Sequence, residues 1–193
     1  MMKIEDLSFG YKKGSHVLEN FNLEMQAGEL IAIMGPSGCG KSTLLQLIAR
    51  FLSPTNGIIQ SEAEKISYAF QEPRLFPWMT VEENLRAVLS KDVEEAKIRD
   101  VLQFVDLENA ERLYPNQLSG GMQSRVSLAR ALLYGGDLFL LDEPFSALDE
   151  ELSKSLSQKL RLALKEMGAS AILVTHQTEV AERFADQIIQ LSR

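Results

Sequence analysis

The sequence predicts an α/β fold in which a mostly parallel sheet is covered by helices on both faces and is interrupted by a helical subdomain. Short apolar runs, each of a length suited to a buried strand, alternate with segments of helical periodicity. Between two of those runs, residues 81–133 keep helical periodicity with no convincing strand. Strands interleaved with helices indicate a parallel core, and the long helical stretch indicates an insertion into it.

The predicted strands and helices follow from these patterns in chain order. The first two strands, KIEDLSFGY at 3–11 and VLENFNLEM at 17–25, alternate apolar and polar residues, and the third, ELIAIMG at 29–35, is mostly apolar. The later strands are KISYAF, LFLLDE, SAILVTH and QIIQLS, and the helices of the core cover 41–51, 150–166 and 178–184. The stretch 57–67 is short and leaves little room for further structure.

Composition and charge exclude several classes of protein. At 193 residues the chain fits one domain, 1–193, and its formal net charge of -7 argues against unspecific binding to nucleic acid. No apolar run approaches the ~20 residues that a membrane-spanning helix needs, and the N-terminus lacks the apolar core of a signal peptide. Cys39 is the only cysteine, so an internal disulfide is excluded. We therefore expect a cytosolic protein that does not bind nucleic acid.

A glycine-rich loop between a predicted strand and a predicted helix matches the phosphate-binding pattern G-x-x-x-x-G-K-[ST]. Its glycines allow successive backbone N–H groups to turn inward, and the helix N-terminus adds partial positive charge. Lys41 is predicted to reach the β- and γ-phosphates of ATP, and the Ser42 hydroxyl to ligate Mg²⁺. The alternative is a glycine-rich turn that binds nothing. The predicted phosphate-binding residues are Gly35, Pro36, Ser37, Gly38, Cys39, Gly40, Lys41, Ser42 and Thr43.

Two acidic residues and one histidine follow later strands, at the end of the sheet where ligands bind in such folds. Asp142 is predicted to belong to the Mg²⁺ shell, and Glu143 to act as the general base that polarises the attacking water. His176 is predicted to hydrogen-bond the γ-phosphate or that water. The alternatives are a solvated turn for the two acids and a structural role for the histidine.

The stretch LSGGM, residues 118–122, is a second candidate phosphate cradle. Ser119 suits a helix N-cap, and Gly120 and Gly121 expose backbone N–H groups at the start of a helix. The first cradle already surrounds its own nucleotide, so a second copy of the chain, arranged head to tail, would use this one. The alternative is an ordinary capped helix with flexible glycines.

Six motifs in this order, GPSGCGKST, Gln71, LSGGM, LFLLDE, SALD and His176, resemble the nucleotide-binding subunit of ATP-binding cassette (ABC) transporters. The resemblance implies a P-loop NTPase (RecA-like) core with an N-terminal antiparallel β-region, formed by 1–75 and 134–193, and a helical subdomain at 76–133. It implies a homodimer with composite sites, and stacking of Tyr11 on adenine, although a tyrosine on an early strand is as easily part of the core. The residues that it assigns to the interface are Ser119, Gly120 and Gly121, on the γ-phosphate, and Asp149.

The resemblance also assigns Gln71, whose amide would bond Mg²⁺ or the attacking water when the helical subdomain swings in. Met122 departs from the family's commonest signature, LSGGQ, and Gln123 and Ser124 also differ. The backbone cradle needs only the serine and the glycines. Both the methionine and the stretch QEPRLFPWMTVEEN, residues 71–84, are similar to importers of nitrate, sulfonates and taurine.

Partners follow from the resemblance as well. The apolar stretch 75–79 would receive a coupling helix from a separate transmembrane permease, although it could instead pack inside the helical subdomain. The full system would include a solute-binding protein, and the chain would lie on the cytoplasmic face of the membrane. The alternatives are the ATPase of an exporter, a soluble ABC-type ATPase that acts on ribosomes or DNA, and a module that uses ATP only to dimerise. Glu143 and His176 argue against the last of these.

Overall fold

The computed structural model of the protein describes residues 1–12, 16–89 and 95–192. Its strands are β1 Met2–Phe9, β2 Leu18–Met25, β3 Leu30–Met34, β4 Asn56–Ser61, β5 Ile66–Ala69, β6 Leu138–Asp142, β7 Ser170–Val174 and β8 Gln187–Gln190. Its α-helices are α1 Lys41–Ile48, α2 Val81–Arg86, α3 Glu95–Phe104, α4 Gly120–Tyr134, α5 Glu150–Glu166 and α6 Thr178–Phe184, and a short 3-10 helix covers Pro115–Gln117. The elements form an α/β fold with two sheets.

The larger sheet is parallel, as the sequence predicts, with the strand order β5-β6-β7-β3-β8. Its register pairs Val174 with Ile33 on one side and with Asp142 on the other. The carboxyl ends of β3, β6 and β7 therefore lie side by side at one edge. The loops that follow these strands carry the predicted phosphate, metal and catalytic residues, so the register alone brings these loops together.

Alternate residues of the buried strands face opposite sides of this sheet, which explains why their sequences are apolar throughout. On β6, Leu138 and Leu140 pack with α1 and the N-terminal sheet, whereas Phe139 and Leu141 pack with α4 and α5. Each fully buried side chain of this kind contributes about 1.5–3 kcal/mol. The parallel sheet is therefore covered on both faces, and its site lies only at the open edge.

The smaller sheet is antiparallel, with the order β2-β1-β4. The expectation that residues 57–67 leave little room for further structure is wrong, because β4 pairs with β1 and sets Ile59 opposite Ile4. Gly57 adopts a φ of 83°, and a Cβ there would lie 2.4 Å from the Asp6 carbonyl oxygen. The strand is short and has few apolar residues, so its partner, rather than its own pattern, defines it.

The stretch 81–133, predicted to be helical, contains α2, α3, the 3-10 helix and most of α4, with no strand among its described residues. Its apolar side chains, such as Leu85, Leu102 and Val126, belong to the same hydrophobic cluster as Phe139 of the sheet. The Ser67 hydroxyl also donates to the Ala131 carbonyl at 2.7 Å, which holds α4 against β5. The limits of the helical subdomain at 76 and 133 stay a prediction, and α4 itself continues to Tyr134.

Candidate functional site

The phosphate-binding loop runs from the end of β3 to the start of α1. Gly40 lies in the left-handed region, with a φ of 102°, and α1 has no side-chain cap at its N-terminus. A Cβ on Gly35 would lie 2.3 Å from the Leu191 carbonyl oxygen and 2.8 Å from Cys39 Sγ. The loop thus needs glycine at these positions, and the uncapped N–H groups of α1 face the site as anion donors. The Cys39 thiol is buried in the core and can contribute only its backbone.

Lys41 and Tyr11 both line the pocket beside this loop. The Lys41 ammonium donates to the carbonyl oxygens of Gly35 and Pro36 at 2.7 and 3.1 Å. Tyr11 is 61% exposed, and its hydroxyl lies 3.1 Å from Thr43 Oγ1. The alternative of a core tyrosine is therefore wrong, since the ring is largely exposed beside the loop and packs edge-to-face with Phe9, with the ring centroids 5.0 Å apart.

The predicted metal ligands meet directly. Ser42 Oγ donates to Asp142 Oδ1 at 2.9 Å across one hundred residues of sequence. Asp142 is buried, and this burial raises its carboxyl pKa, although the Ser42 hydrogen bond opposes the shift. A hydroxyl and a buried carboxylate are hard oxygen ligands of the kind that Mg²⁺ prefers, and a cation here would compensate the buried charge. The residues therefore fit this metal.

Tyr68 is a further contact of Asp142 that no motif predicts. Its hydroxyl lies 3.5 Å from Asp142 Oδ2, and its ring stacks on Phe70 with centroids 4.1 Å apart. Burial and the neighbouring carboxylate both raise the Tyr68 pKa, so the phenol stays protonated and remains a donor. The signal in the sequence is only a tyrosine in a buried strand, which more often serves packing.

Glu143 and His176 contact each other, with 2.8 Å between Glu143 Oε2 and His176 Nδ1. Because an ionised carboxylate only accepts hydrogen bonds, Nδ1 is the donor when Glu143 is ionised. Glu143 has a φ of 50°, which is strained for a residue with a side chain. Its N–H donates to Val174, and its carbonyl accepts from the Ser146 N–H and hydroxyl, at 3.0, 3.2 and 2.9 Å. Ser146 thus supports the turn that aims Glu143.

Many of the predicted site residues line one open pocket, whose described lining is Tyr11, Val17, Ser37, Gly38, Gly40, Lys41, Ser42, Thr43, Gln71, Glu143 and Val174. Asp142 and His176 are not part of this lining and contact it through Ser42 and Glu143. Gln71, two residues after the end of β5, therefore borders the same pocket. The second predicted cradle does not belong to this lining.

The second cradle has the predicted local form but lies elsewhere on the surface. Ser119 Oγ accepts from the Met122 N–H at 3.2 Å and caps α4. A Cβ on Gly120 would meet no atom within 4 Å, whereas one on Gly121 would lie 2.8 Å from the Ala147 carbonyl oxygen. Asp149, close by, caps α5 by accepting from the Leu152 N–H at 2.9 Å. Gly120 thus presents an open backbone to solvent.

Two of the residues that differ from the family signature, Met122 and Gln123, have structural roles in the described chain. Met122 packs against the main hydrophobic cluster and gives the cap only its backbone N–H, which any residue except proline provides. Gln123 Nε2 donates to the carbonyl oxygens of Pro115 and Leu118 at 2.9 and 3.3 Å. Gln123 therefore stabilises the turn that leads into Ser119.

The chain is similar in sequence to known ATP-binding proteins. Residues 18–146 match the family model described as "ABC transporter". The aliphatic sulfonates import ATP-binding protein SsuB of Bacillus licheniformis is 40% identical over 203 residues, which cover 99% of this chain and 79% of that protein. The bicarbonate transport ATP-binding protein CmpC of Synechococcus elongatus is 40% identical over 189 residues, covering 91% of this chain and 28% of that protein.

Solved structures show the same fold. The dimeric structure of MJ0796, a bacterial ABC transporter cassette, has a TM-score of 0.90 and 33% identity, and the match covers 99% of this chain and 94% of that one. A dimeric post-hydrolysis state of the same cassette, bound to ADP and Pi, has a TM-score of 0.89 and 33% identity, covering 100% and 94%. The chain described here belongs to the ABC transporter family, as a subunit that binds and hydrolyses ATP.

Proposed function

We propose that this chain powers the import of a small solute by hydrolysing Mg-ATP at two composite sites formed by a head-to-tail homodimer. The observation that carries the proposal is the division of the phosphate-binding groups. One pocket holds Lys41, Ser42 and Glu143, while the start of α4 lies outside its lining with Gly120 open to solvent. A second copy would bring Ser119, Gly120 and Gly121 to the γ-phosphate in this pocket, with Asp149 beside the interface. The dimeric assembly of a similar cassette supports this arrangement.

Each residue of the pocket then has a role in hydrolysis. The Glu143 carboxylate takes a proton from the attacking water, and the His176 Nδ1–H orients that carboxylate by donating a hydrogen bond to it. Lys41 leaves the carbonyls of Gly35 and Pro36 to contact the β- and γ-phosphates, and Tyr11 stacks on adenine. Gln71 lines the same pocket and would hold the water.

Mg²⁺ would be held by Ser42 and Asp142, with Gln71 as a further ligand, and when bound it supplies positive charge that stabilises the transferred phosphoryl group. The 2.9 Å contact between the hydroxyl and the carboxylate supports this assignment. The other phosphate contacts come from backbone N–H groups of the phosphate-binding loop, among them those of Ser37, Gly38, Cys39 and Thr43.

Mixing two inactive variants tests whether the sites are composite. Lys41→Ala removes a phosphate contact, and Ser119→Arg blocks the second cradle by bulk, so each variant alone is expected to be inactive. In a head-to-tail heterodimer, one site combines both lesions while the other combines an intact P-loop with an intact cradle. We therefore expect ATP hydrolysis to reappear on mixing and to peak near equal concentrations of the two chains.

The matched control mixes Lys41→Ala with Asp142→Asn. Both changes lie in the same half of the site, so every composite site of that heterodimer carries one lesion and no activity is expected. If the first mixture stays as inactive as its components, although both chains bind each other, the composite site is contradicted.

Import and a membrane partner are supported by the relatives. The proteins compared above are import or transport ATP-binding proteins, but their solutes differ at nearly the same identity to this chain, namely aliphatic sulfonates and bicarbonate. An Fe(3+) ions import ATP-binding protein of Haemophilus influenzae is 39% identical over 89% of this chain and 54% of that protein. Sequence identity thus supports import without selecting a solute.

No described helix of this chain is both long and apolar enough to cross a membrane. We propose that a separate transmembrane permease is its partner, with a solute-binding protein in the full system.

The permease would dock on the loop after Gln71, on the cytoplasmic face of the membrane. Trp78 is 69% exposed and its ring lies 5.7 Å from that of Phe76, which is also exposed. The fully buried Asn84 holds this loop from inside, since its amide bonds the backbone of Phe76, Met79 and Thr80 at 2.8–3.1 Å. A rigid, exposed pair of aromatic rings is the kind of anchor that protein interfaces use.

Trp78→Ala is expected to weaken binding to the permease roughly tenfold or more, because exposed aromatic anchors carry much of an interface's energy. The measurement is the fraction of chain that sediments with membranes containing the permease. Leu162→Ala, which removes another exposed apolar side chain on α5, is the control and should sediment as the unmodified chain does. If Trp78→Ala, Leu162→Ala and the unmodified chain all sediment with the membranes to the same extent, the docking surface lies elsewhere.

A further inference from the structure

Arg130, near the end of α4, is hydrogen-bonded to the backbone of the loop just after Gln71. Its guanidinium donates to the Pro73 carbonyl at 2.8 Å and to the Arg74 carbonyl at 3.0 Å. Among the described residues, no carboxylate pairs with Arg130. The partly buried Arg130 guanidinium thus donates to two backbone carbonyls of one loop, and hydrogen bonds from a charged donor are stronger than those between neutral groups.

The loop that Arg130 holds has one strained residue and lies close to the ATP pocket. Arg74 has a φ of 48°, which is unfavourable for a residue with a side chain, and its guanidinium lies 4.1 Å from the centroid of the Phe70 ring. Gln71 lines the ATP pocket three residues before Arg74. Without the two hydrogen bonds, Arg74 would relax toward an ordinary conformation and Gln71 would shift with it.

The same helix begins at the second cradle. Ser119 caps α4, and Arg130 lies eleven residues later, about 16 Å along the helix axis. The Ala131 carbonyl, next to Arg130, is held by Ser67 of β5, so this end of α4 is anchored to the core. Arg130 therefore lies at the end of α4 that is fixed to the core, and its hydrogen bonds fix the loop after Gln71 to the same end.

We propose that Arg130 is a positioning residue for ATP hydrolysis, since its two hydrogen bonds hold the loop after Gln71 and so place the Gln71 amide in the pocket. This inference rests on the proposed function, because it requires Gln71 to hold the attacking water. Loss of Arg130 should therefore act on hydrolysis through Gln71.

The chain offers a matched control on the same helix. Arg125 NH1 donates to the carbonyl oxygens of Val105 and Asp106 at 2.9 and 2.6 Å, so it also bonds two backbone carbonyls. Those carbonyls follow α3, within the helical region, and do not lead to Gln71. Arg125→Ala therefore reproduces the local loss of packing and hydrogen bonds without loosening the catalytic loop.

The experiment compares Arg130→Ala, Arg130→Lys, Arg125→Ala, Gln71→Ala and the double variant Gln71→Ala with Arg130→Ala in the full chain. We expect Arg130→Ala to lower kcat roughly tenfold or more, because a displacement of about 1 Å of a positioned group costs up to ~100-fold. The KM for ATP should stay within about twofold, since the phosphate loop is untouched. Arg130→Lys should restore only part of kcat, because one ammonium cannot bond both carbonyls in the geometry of a planar guanidinium.

Two readouts separate positioning from a general loss of structure. In the Gln71→Ala background, Arg130→Ala should have no further effect on kcat, since residues that act as one unit are not additive. Hydrogen exchange of the Phe76 and Met79 N–H groups, which are hydrogen-bonded just beyond the held carbonyls, should rise in Arg130→Ala and stay unchanged in Arg125→Ala. An equal fall of kcat in both arginine variants, or an effect of Arg130→Ala that persists in full without Gln71, would overturn the inference.

The outcomes also distinguish this inference from the proposed function. If Gln71→Ala itself hydrolyses ATP at the unmodified rate, the role proposed for Gln71 is wrong, and the inference falls with it. If Gln71→Ala lowers kcat but Arg130→Ala acts additively with it, the proposed function stands and only the positioning of Gln71 by Arg130 is contradicted.

Discussion

Glu143→Gln is expected to lower ATP hydrolysis by roughly 10²- to 10⁴-fold, the range that a positioned general base contributes. The substitution keeps the size of the side chain, and its amide can still contact His176, which lies 2.8 Å from the Glu143 carboxylate. The strained turn is held by backbone and Ser146 hydrogen bonds that do not involve the side chain of residue 143. The change should therefore remove the base and leave ATP binding intact.

The same variant should trap the closed dimer, because ATP would bind and not be consumed. Light scattering of Glu143→Gln is expected to show the mass of a monomer without nucleotide and of a dimer with Mg-ATP. Adding Ser119→Arg should abolish the dimer while ATP still binds, since Ser119 lies outside the pocket that holds Lys41. A monomer at saturating Mg-ATP would mean that the chain does not complete its sites without other subunits, or that the composite site is wrong.

Asp142→Asn is expected to lower ATP hydrolysis by roughly 10²-fold or more, because the charge stabilisation supplied by a metal is worth several kcal/mol. The same substitution is expected to stabilise the fold when Mg²⁺ is absent. Burial raises the pKa of Asp142, so ionising this carboxyl costs more in the folded state than in the unfolded state. An asparagine of the same shape removes that cost and can still accept a hydrogen bond from Ser42. The two effects have opposite signs because the site is arranged for a cation.

The dependence on pH fixes the sign of this second effect. A carboxyl whose pKa is raised by folding destabilises the folded state progressively as the pH rises from its unfolded pKa to its folded pKa, and the full loss persists above that. The free energy of unfolding of Asp142→Asn, measured in urea with a chelator present, should therefore exceed that of the unmodified chain at pH 7, and the difference should vanish at low pH. Ser42→Ala is the control, because it removes a hydroxyl that opposes the pKa shift and should make the unmodified carboxylate more costly. A less stable Asp142→Asn at pH 7 would contradict this account.

Both predictions depend on contacts that local sequence does not encode. Glu143 and Asp142 are recognisable as acids after an apolar run, but the sequence predicts neither the contact of Glu143 with His176 nor that of Asp142 with Tyr68. The role of His176 at the γ-phosphate or the attacking water stays a prediction, and the structure adds the contact of its Nδ1 with the Glu143 carboxylate. The register of β6 against β7 creates this meeting, and register is a property of the assembled sheet.

The loops follow the same rule. Arg130 and Asn84 hold the chain beyond Gln71 through backbone carbonyls and amides, and backbone groups carry no sequence signature. Strand β4 is missed for a related reason, since its hydrogen bonds come from β1 and its own residues are few and mostly polar. In each case the partner lies far away in sequence, so a pattern within one window cannot reveal it.

The sequence by itself determined the elements whose causes are local: the apolar strands of the parallel sheet, the helices α5 and α6, the phosphate loop ahead of Lys41 and the capped start of α4 at Ser119. Helical and strand periodicity, caps and glycine turns act within a few residues, so they can be recognised in a single window. Only the tertiary structure decided which of these ends meet, that Tyr11 stands in solvent beside the loop, and that the two cradles of one chain are separate. Those outcomes depend on strand order and register, which hydrogen bonds and side-chain packing between distant segments select together.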